Sequence, residues 1–257
     1  MEKIIVCVKP IPDPRDWDRI SLDPDTGIMH REGIPSVINP LDRNAVEAAL
    51  QLKEGPCPGA EIVLLSMAPP FTSPALKEML AMGADRAVLL SDRLFAGSDT
   101  LATSAIMAAA IKRLGAFDLV LCGDMTLDGS TAQVPSQLAE FLGVPNVMHV
   151  TGINPAAPGR LHLTRKIEKG SARLEANPPL LISVVKGVNK PRYIPFTGIL
   201  EADRKEIVQW SNKDLDLDLS QIGPAGSPTR MAGISLRAGT RAREILSGHS
   251  PEELARK

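Results

Sequence analysis

Continuous β-branched runs alternate with helical stretches through the first half of the chain, and that alternation restricts it to few folds. Lys3 to Val8, Glu61 to Met67, Arg86 to Leu90 and Leu119 to Cys122 are apolar on both alternating faces, so each strand needs cover above and below. The segments between them carry helix signals. Asp42 reads as the N-cap of a helix from Arg43 to about Lys53, with Ala45, Val46, Ala49, Leu50 and Leu52 as its apolar stripe. Ser73 followed by Pro74 opens a second helix that Gly83 closes. Asp99 or Thr100 opens an alanine-rich third helix to about Leu114, and a fourth follows Ser130 to Leu142 and ends at Gly143. Strands separated by such helices form βαβ units, so the expected fold is α/β, a doubly wound, mainly parallel sheet. Ligands of such sheets sit beyond the carboxyl ends of the strands. Four loops gather there: Lys9 onward, Met67 to Pro70, Ser91 to Thr100 and Gly123 to Thr131.

The pattern changes after about residue 150. Leu161 to Glu168, Leu174 to Ala176 and Leu180 to Val185 read as short antiparallel strands, and Lys190 to Leu200 as a loop punctuated by proline and glycine. Acid and leucine alternate over Asp214 to Leu219, and Gly223, Pro224, Gly226 and Pro228 make a linker. The tail carries two expected short helices, Arg241 to Leu246 and Ser250 to Lys257, with too little apolar surface to pack alone. The expected division is an α/β domain over 1–190, a partner loop over 191–210 and a C-terminal linker and arm over 211–257.

Composition removes several function classes. A net charge of -1 gives no bulk attraction to nucleic acid or an anionic membrane, and 3 % aromatics provide no stacking platform for single strands. No apolar run approaches the roughly 18 residues that span a bilayer, and a strand begins too early for a signal peptide. Cys7, Cys57 and Cys122 form no C-x-x-C pair, and the four histidines are scattered, so no disulfide framework or metal site is expected. The expected setting is a reducing cytoplasm.

Cys122 to Val134 (Cys-Gly-Asp-Met-Thr-Leu-Asp-Gly-Ser-Thr-Ala-Gln-Val) is the stretch richest in function. A strand ends in a glycine loop and feeds a helix whose Ser130 and Gln133 have capping-box spacing. Free N–H groups and a positive dipole end then converge on one spot, which suits a phosphate. The stretch is neither a Walker loop nor a G-x-G-x-x-G fingerprint. Asp128-Gly129 is also a common turn dipeptide, and S-x-x-Q caps helices that bind nothing. Asn39 before Pro40 is by default a turn former, although its amide could meet an adenine edge. Lys9, usually a solvated charge, could face a phosphate, and Asp99 reads first as an N-cap. Phe196, between Pro195 and Thr197-Gly198, is either core or a docking anchor. No nucleophile–base pair or carboxylate pair is evident, so redox chemistry would come from a bound cofactor.

Several segments resemble the β subunit of electron transfer flavoproteins: Ile5 to Lys9, Ile38-Asn39-Pro40, Ala75-Leu76-Lys77 with Ala81-Met82-Gly83-Ala84-Asp85-Arg86, Asp128 to Val134, Asn189 to Tyr193 and Ser227 to Arg230. The resemblance spans nearly the whole chain. It implies an adenine-nucleotide α-hydrolase-like fold with an antiparallel β extension, and a heterodimer with an FAD-carrying α subunit onto which the C-terminal arm wraps. It also implies an adenine nucleotide in this chain: AMP in ordinary members, a second FAD with NADH nearby in the electron-bifurcating ones. Asp128 to Val134 and Asp92 to Thr100 are similar to the bifurcating group, so FAD is expected, with AMP as the alternative. The implied cofactor contacts are Cys7, Lys9, Asn39, Met67, Asp99, Thr100, Cys122, Gly123, Asp124, Asp128, Gly129, Ser130, Thr131, Ala132, Gln133 and Val134. Phe196, Gly198, Ile199 and Leu200 fall where the family docks an acyl-CoA dehydrogenase. Pro135-Ser136 replaces the usual Gly-Pro, Glu168 to Arg173 carries basic residues where acids are usual, and Glu201, Ala202 and Asp203 replace a basic patch. No nucleic acid, membrane insertion, metal or side-chain catalyst is expected. Two other readings stand beside this one: a non-bifurcating β subunit with structural AMP, and a stand-alone ATP- or AMP-binding module.

Overall fold

The β-branched run Lys3–Cys7 forms β1 at the centre of the molecule, where Ile4, Ile5 and Val6 lose all solvent exposure. The computed structural model describes residues 1–22, 29–30, 33–156 and 159–229, with positions 247, 250 and 254. From β1 the chain runs through α1 (Pro40–Glu54), β2 (Glu61–Met67), α2 (Ser73–Met82), β3 (Arg86–Leu90), α3 (Thr100–Leu114), β4 (Leu119–Gly123) and α4 (Val134–Leu142). There follow β5 (Asn146–Pro155), β6 (Leu161–Ile167), β7 (Gly170–Ala176), β8 (Leu180–Val184), α5 (Phe196–Ala202), β9 (Ile207–Trp210) and α6 (Asn212–Leu215). Among the described residues the main sheet has nine strands in the order β7-β6-β5-β8-β4-β1-β2-β3-β9. Every neighbouring pair from β5 to β9 across that order is parallel, and only the β5-β6-β7 extension is antiparallel.

Strand alternation splits the core into two layers. Ile4, Val6, Ile62, Leu64, Leu119 and Leu121 pack with Ala45, Val46, Leu76 and Met79 of α1 and α2. Ile5, Val63, Leu65, Val88 and Val120 pack with Ile106, Met107, Ile111 and Leu138 of α3 and α4 on the opposite face. The order β1-β2-β3 progresses outward in one direction, and α3 then carries the chain back to β4 on the other side of β1. The sheet therefore changes direction between β1 and β4, where a doubly wound fold opens its crevice.

Several expectations change. Asp42 is not the N-cap of α1: the helix begins at Pro40 after Asn39, and Asp42 lies in the first turn. Thr72, not Ser73, precedes α2, with Pro74 in its first turn. The capping box at Ser130 and Gln133 does not form, since α4 begins at Val134 with Pro135 in its first turn and has no side-chain cap. Leu180 to Val184 is a parallel strand between β4 and β5, because an unbroken apolar run suits a site buried on both faces. The Lys190 to Leu200 segment holds the start of α5, and Ile207–Trp210 completes the sheet edge beside β3. The expected tail helices at Arg241 to Leu246 and Ser250 to Lys257 lie outside the described residues.

Candidate functional site

Cys7 and Cys122 are register partners on β1 and β4, and they floor the crevice between the two strands. Both are buried free thiols. A hydrogen bond with Cys7, then burial, pushes the Cys122 thiol well above the usual range, so it stays protonated. One lip of the crevice is the end of β1 and the start of α1. The other is the loop from Asp124 to Gln133.

A buried polar network ties the lips together. Asp42 Oδ2 accepts from the Lys9 N–H at 2.8 Å, and Oδ1 accepts from the Gly123 N–H at 3.2 Å and Asn39 Nδ2 at 3.0 Å. Asn39 Nδ2 also donates to the Met125 carbonyl at 2.9 Å, and its Oδ1 accepts from the Leu127 N–H at 3.3 Å. Asn39 is fully buried and its amide is engaged at both ends, so its side chain holds the loop and presents no free edge to an adenine. Lys9 Nζ closes the arrangement with an ion pair to Asp128 at 2.8 Å. Burial pushes the Asp42 carboxyl up to about 7 against the pull of the Lys9, Asn39 and Gly123 donors.

Beyond Asp128 the loop takes up strained backbone. Ser130 and Ala132 have φ of 52° and 54°, a region that non-glycine residues enter at a cost and that clusters at functional sites. Ala132 is followed by Gln133 in the right-handed helical region, which is the alternation that forms a backbone nest for anions. Among the described residues, no backbone acceptor meets the N–H groups of Thr131, Ala132 or Gln133. Those donors lie just before the start of α4, where the helix dipole adds positive potential. The small residues Gly129 and Ala132 leave the backbone approachable, and Thr100 Oγ1 fixes the Gln133 side chain at 2.9 Å. The arrangement fits a phosphate.

The remaining expected residues have partners within the protein or lie half-buried. Asp99 caps α3 through Leu101 and Ala102 at 2.9 and 3.0 Å and accepts from the Thr229 N–H at 3.0 Å. Burial raises its carboxyl, but donors from Thr229, Ala102 and Leu101 outweigh that and hold it below the ordinary range. Ser130 Oγ donates to the Thr126 carbonyl at 3.2 Å. Met67 is half-buried at the end of β2, and Val134 is half-buried as the first residue of α4. Asp124 turns away from β1. Its Oδ1 accepts from Ser183 Oγ at 2.9 Å and lies 2.8 Å from His149 Nδ1. His149 sits at φ 60° where β5 carries one extra residue against β8, a bulge that re-aims its ring. Asp42, Ser183 and His149 were not anticipated here. Proline at position 40 was a signal for the start of α1, but nothing in the sequence marks the bulge.

Phe196, Ile199 and Leu200 stand out from α5, with Phe196 74 % exposed. Gly198 instead packs on α2, where a Cβ would fall 2.2 Å from the Ala81 carbonyl oxygen. The preceding turn exposes Tyr193 and is pinned by Arg192 to Glu47 and Glu54 of α1, with Arg192 Nε 2.8 Å from Glu47 Oε2. A groove of about 550 Å³ lies elsewhere, on the outer face of α3 beside Phe141 and Leu217, and touches none of the expected ligand residues. No helix among the described residues is long and apolar enough to cross a membrane.

The family model of the electron transfer flavoprotein domain matches residues 26–215. The caffeyl-CoA reductase–Etf complex subunit CarD of Acetobacterium woodii is 42 % identical over 98 % of this chain and 95 % of its own. An electron transfer flavoprotein subunit beta of Clostridium acetobutylicum is 43 % identical over 89 % of this chain and 85 % of its own. The acryloyl-CoA reductase electron transfer subunit gamma of Anaerotignum propionicum is 39 % identical over 89 % and 86 %. With a matching domain over most of its length and relatives this similar, the chain belongs to the electron transfer flavoprotein family, on the side of the β subunits.

Proposed function

We propose that this chain is the nucleotide-holding subunit of a heterodimer with an electron transfer flavoprotein α subunit, and that the β1/β4 crevice takes the phosphate of an adenine nucleotide. The observation that carries the reading is the Ala132–Gln133 turn, with free N–H groups from Thr131 to Gln133 at a helix start beside the switch point. Thr131, Ala132, Gln133 and Val134 would hold the phosphate by their backbone. Gly129 gives access, and Lys9 with Asp128 braces the loop. Cys7, Cys122 and Met67 form the floor.

We take the nucleotide to be FAD, with AMP as the alternative, since one nest serves a single phosphate equally well. FAD, when bound, supplies the electron acceptance that no side chain here provides. NADH is the proposed electron source in the FAD case. Two relatives bear names that join an electron-transfer subunit to an acyl-CoA reductase. That supports a dehydrogenase-type flavoenzyme as partner, and the exposed Phe196, Ile199 and Leu200 give it an apolar foothold. On this reading residues 1–190 bind nucleotide, 191–210 meet the dehydrogenase, and 211–257 pack on the α subunit. Three free cysteines suit a cytoplasmic setting.

Co-purification with the α subunit, followed by extraction and chromatography of bound nucleotide, tests the proposal. Two FAD per heterodimer is the expected result. One FAD with one AMP would leave the crevice intact and remove the second flavin. A chain that stays monomeric and carries no nucleotide would overturn the proposal.

A further inference from the structure

Asp42 is the node at which three separate parts of the crevice meet. Its two carboxylate oxygens accept from the end of β1 at Lys9, the end of β4 at Gly123, and the Asn39 amide that continues to Met125 and Leu127 in the opposite lip. All three partners are N–H donors, so the arrangement is complete only when the carboxylate is unprotonated. The approach is tight: a Cβ built at Gly123 would lie 2.3 Å from Asp42 Oδ1 and 2.8 Å from Leu41 Cβ. The glycine that ends β4 is thus shaped around this carboxylate.

We propose that Asp42 is a positioning residue for nucleotide binding, its ionised carboxylate setting the spacing of the two lips so that the loop N–H groups converge on a phosphate. The proposal rests on the crevice being the nucleotide site. Protonation would place a hydrogen among three donors, and at least one of the struts to Lys9, Gly123 or Asn39 would part. A loosened lip must be reordered by the ligand, which lowers its affinity. Burial brings the group to about 7, so this exchange falls within an accessible pH range.

The charged and titratable groups around Asp42 each have partners of their own. Lys9, on the end of β1, is paired with Asp128. Cys122 on β4 has its thiol raised and stays neutral, hydrogen-bonded to Cys7. Asp124, beyond Gly123, is turned toward Ser183 and His149. Arg43, next in α1, reaches Glu78 at 3.6 Å on the opposite side.

The test uses the full chain with its α partner, stripped of nucleotide, and measures binding of AMP by titration calorimetry at about pH 8.5 and about pH 6, on either side of the Asp42 midpoint. Wild type is compared with Asp42→Asn and with Gly123→Ala, which keeps the carboxylate but displaces it. The phosphate of AMP ionises near pH 6 in all three proteins, so only differences between them count. At the higher pH, Asp42→Asn and Gly123→Ala should each weaken AMP roughly tenfold or more, the loss expected for one hydrogen bond to a charged group. At the lower pH the gap between wild type and Asp42→Asn should close.

Unchanged affinity in both variants would overturn the proposal. So would an equal loss at both pH values, which would make Asp42 a structural prop only. If Asp42→Asn does not fold, the difference between wild type and Gly123→Ala at the two pH values decides by the same criteria. Failure of wild type to bind AMP at either pH would instead overturn the crevice reading, and this inference with it.

Discussion

Asp42 is a buried carboxyl, and ionising it there has a cost in stability. Its carboxyl ionises near 7 in the folded chain against an ordinary 3.8, so the native state binds that proton more tightly than the unfolded state. The stabilisation this gives is complete below about pH 4 and is lost as pH rises through 7. At roughly 1.4 kcal/mol per pH unit it amounts to something on the order of 4 kcal/mol. Wild type should therefore lose thermal stability between about pH 4 and pH 7, and Asp42→Asn should flatten that decline, as calorimetric unfolding would read. An unaltered slope in the variant would locate the effect elsewhere. The residue-level errors of sequence reading share one cause. Side-chain oxygens at Asp42, Ser73 and Ser130 suggested caps, yet each helix starts where proline occupies its first turn, at Pro40, Pro74 and Pro135. A positive φ at Ser130 or Ala132 leaves no trace in a sequence, because neither residue is one that ordinarily adopts it.

At the level of elements, β1 to β4 and α1 to α3 were readable because their apolar patterns extend over whole segments. β5 was not, since His149, Thr151 and Gly152 interrupt its apolar residues, and β9 and α5 are too short to show a period. The turn before α5 depends on one side chain. Arg192 spans two carboxylates of α1, and Glu47 is almost fully buried while Glu54 is mostly exposed. Removing the guanidinium leaves Glu47 without its charge partner in a dry site, with only Gln51 Nε2 and the residue 192 N–H as donors, whereas the loss at Glu54 is screened by water. Arg192→Ala should cost about 2–4 kcal/mol in denaturant unfolding, with Arg192→Lys intermediate because an ammonium cannot make paired contacts to two carboxylates. A loss under about 0.5 kcal/mol for alanine would show that other contacts hold the turn.

Across the whole molecule, the change of direction between β1 and β4 followed from helix and strand order, and with it the place of the crevice. The edge strand β9 did not follow, since a sheet's border is set by which chain segments remain once the centre is filled. The apolar face of α5 belongs to this scale, because on the proposed reading a second protein covers it. With Phe196 replaced by alanine, electron transfer to an acyl-CoA dehydrogenase-type partner should show a KM raised about tenfold at unchanged nucleotide content, the effect of deleting one anchor worth roughly 1–2 kcal/mol. An unchanged KM would move the docking surface off α5. One small contact joins the two ends of this geometry. Asp99, which caps α3, also grips the backbone of Thr229, and its neighbour Thr100 grips Gln133 at the rim of the crevice. The Thr229 contact thus lies one residue along the chain from the contact to Gln133, which on the proposed reading rims the phosphate site. A companion subunit that takes hold of the trailing segment would tug directly on that rim, with the rigid sheet left undisturbed.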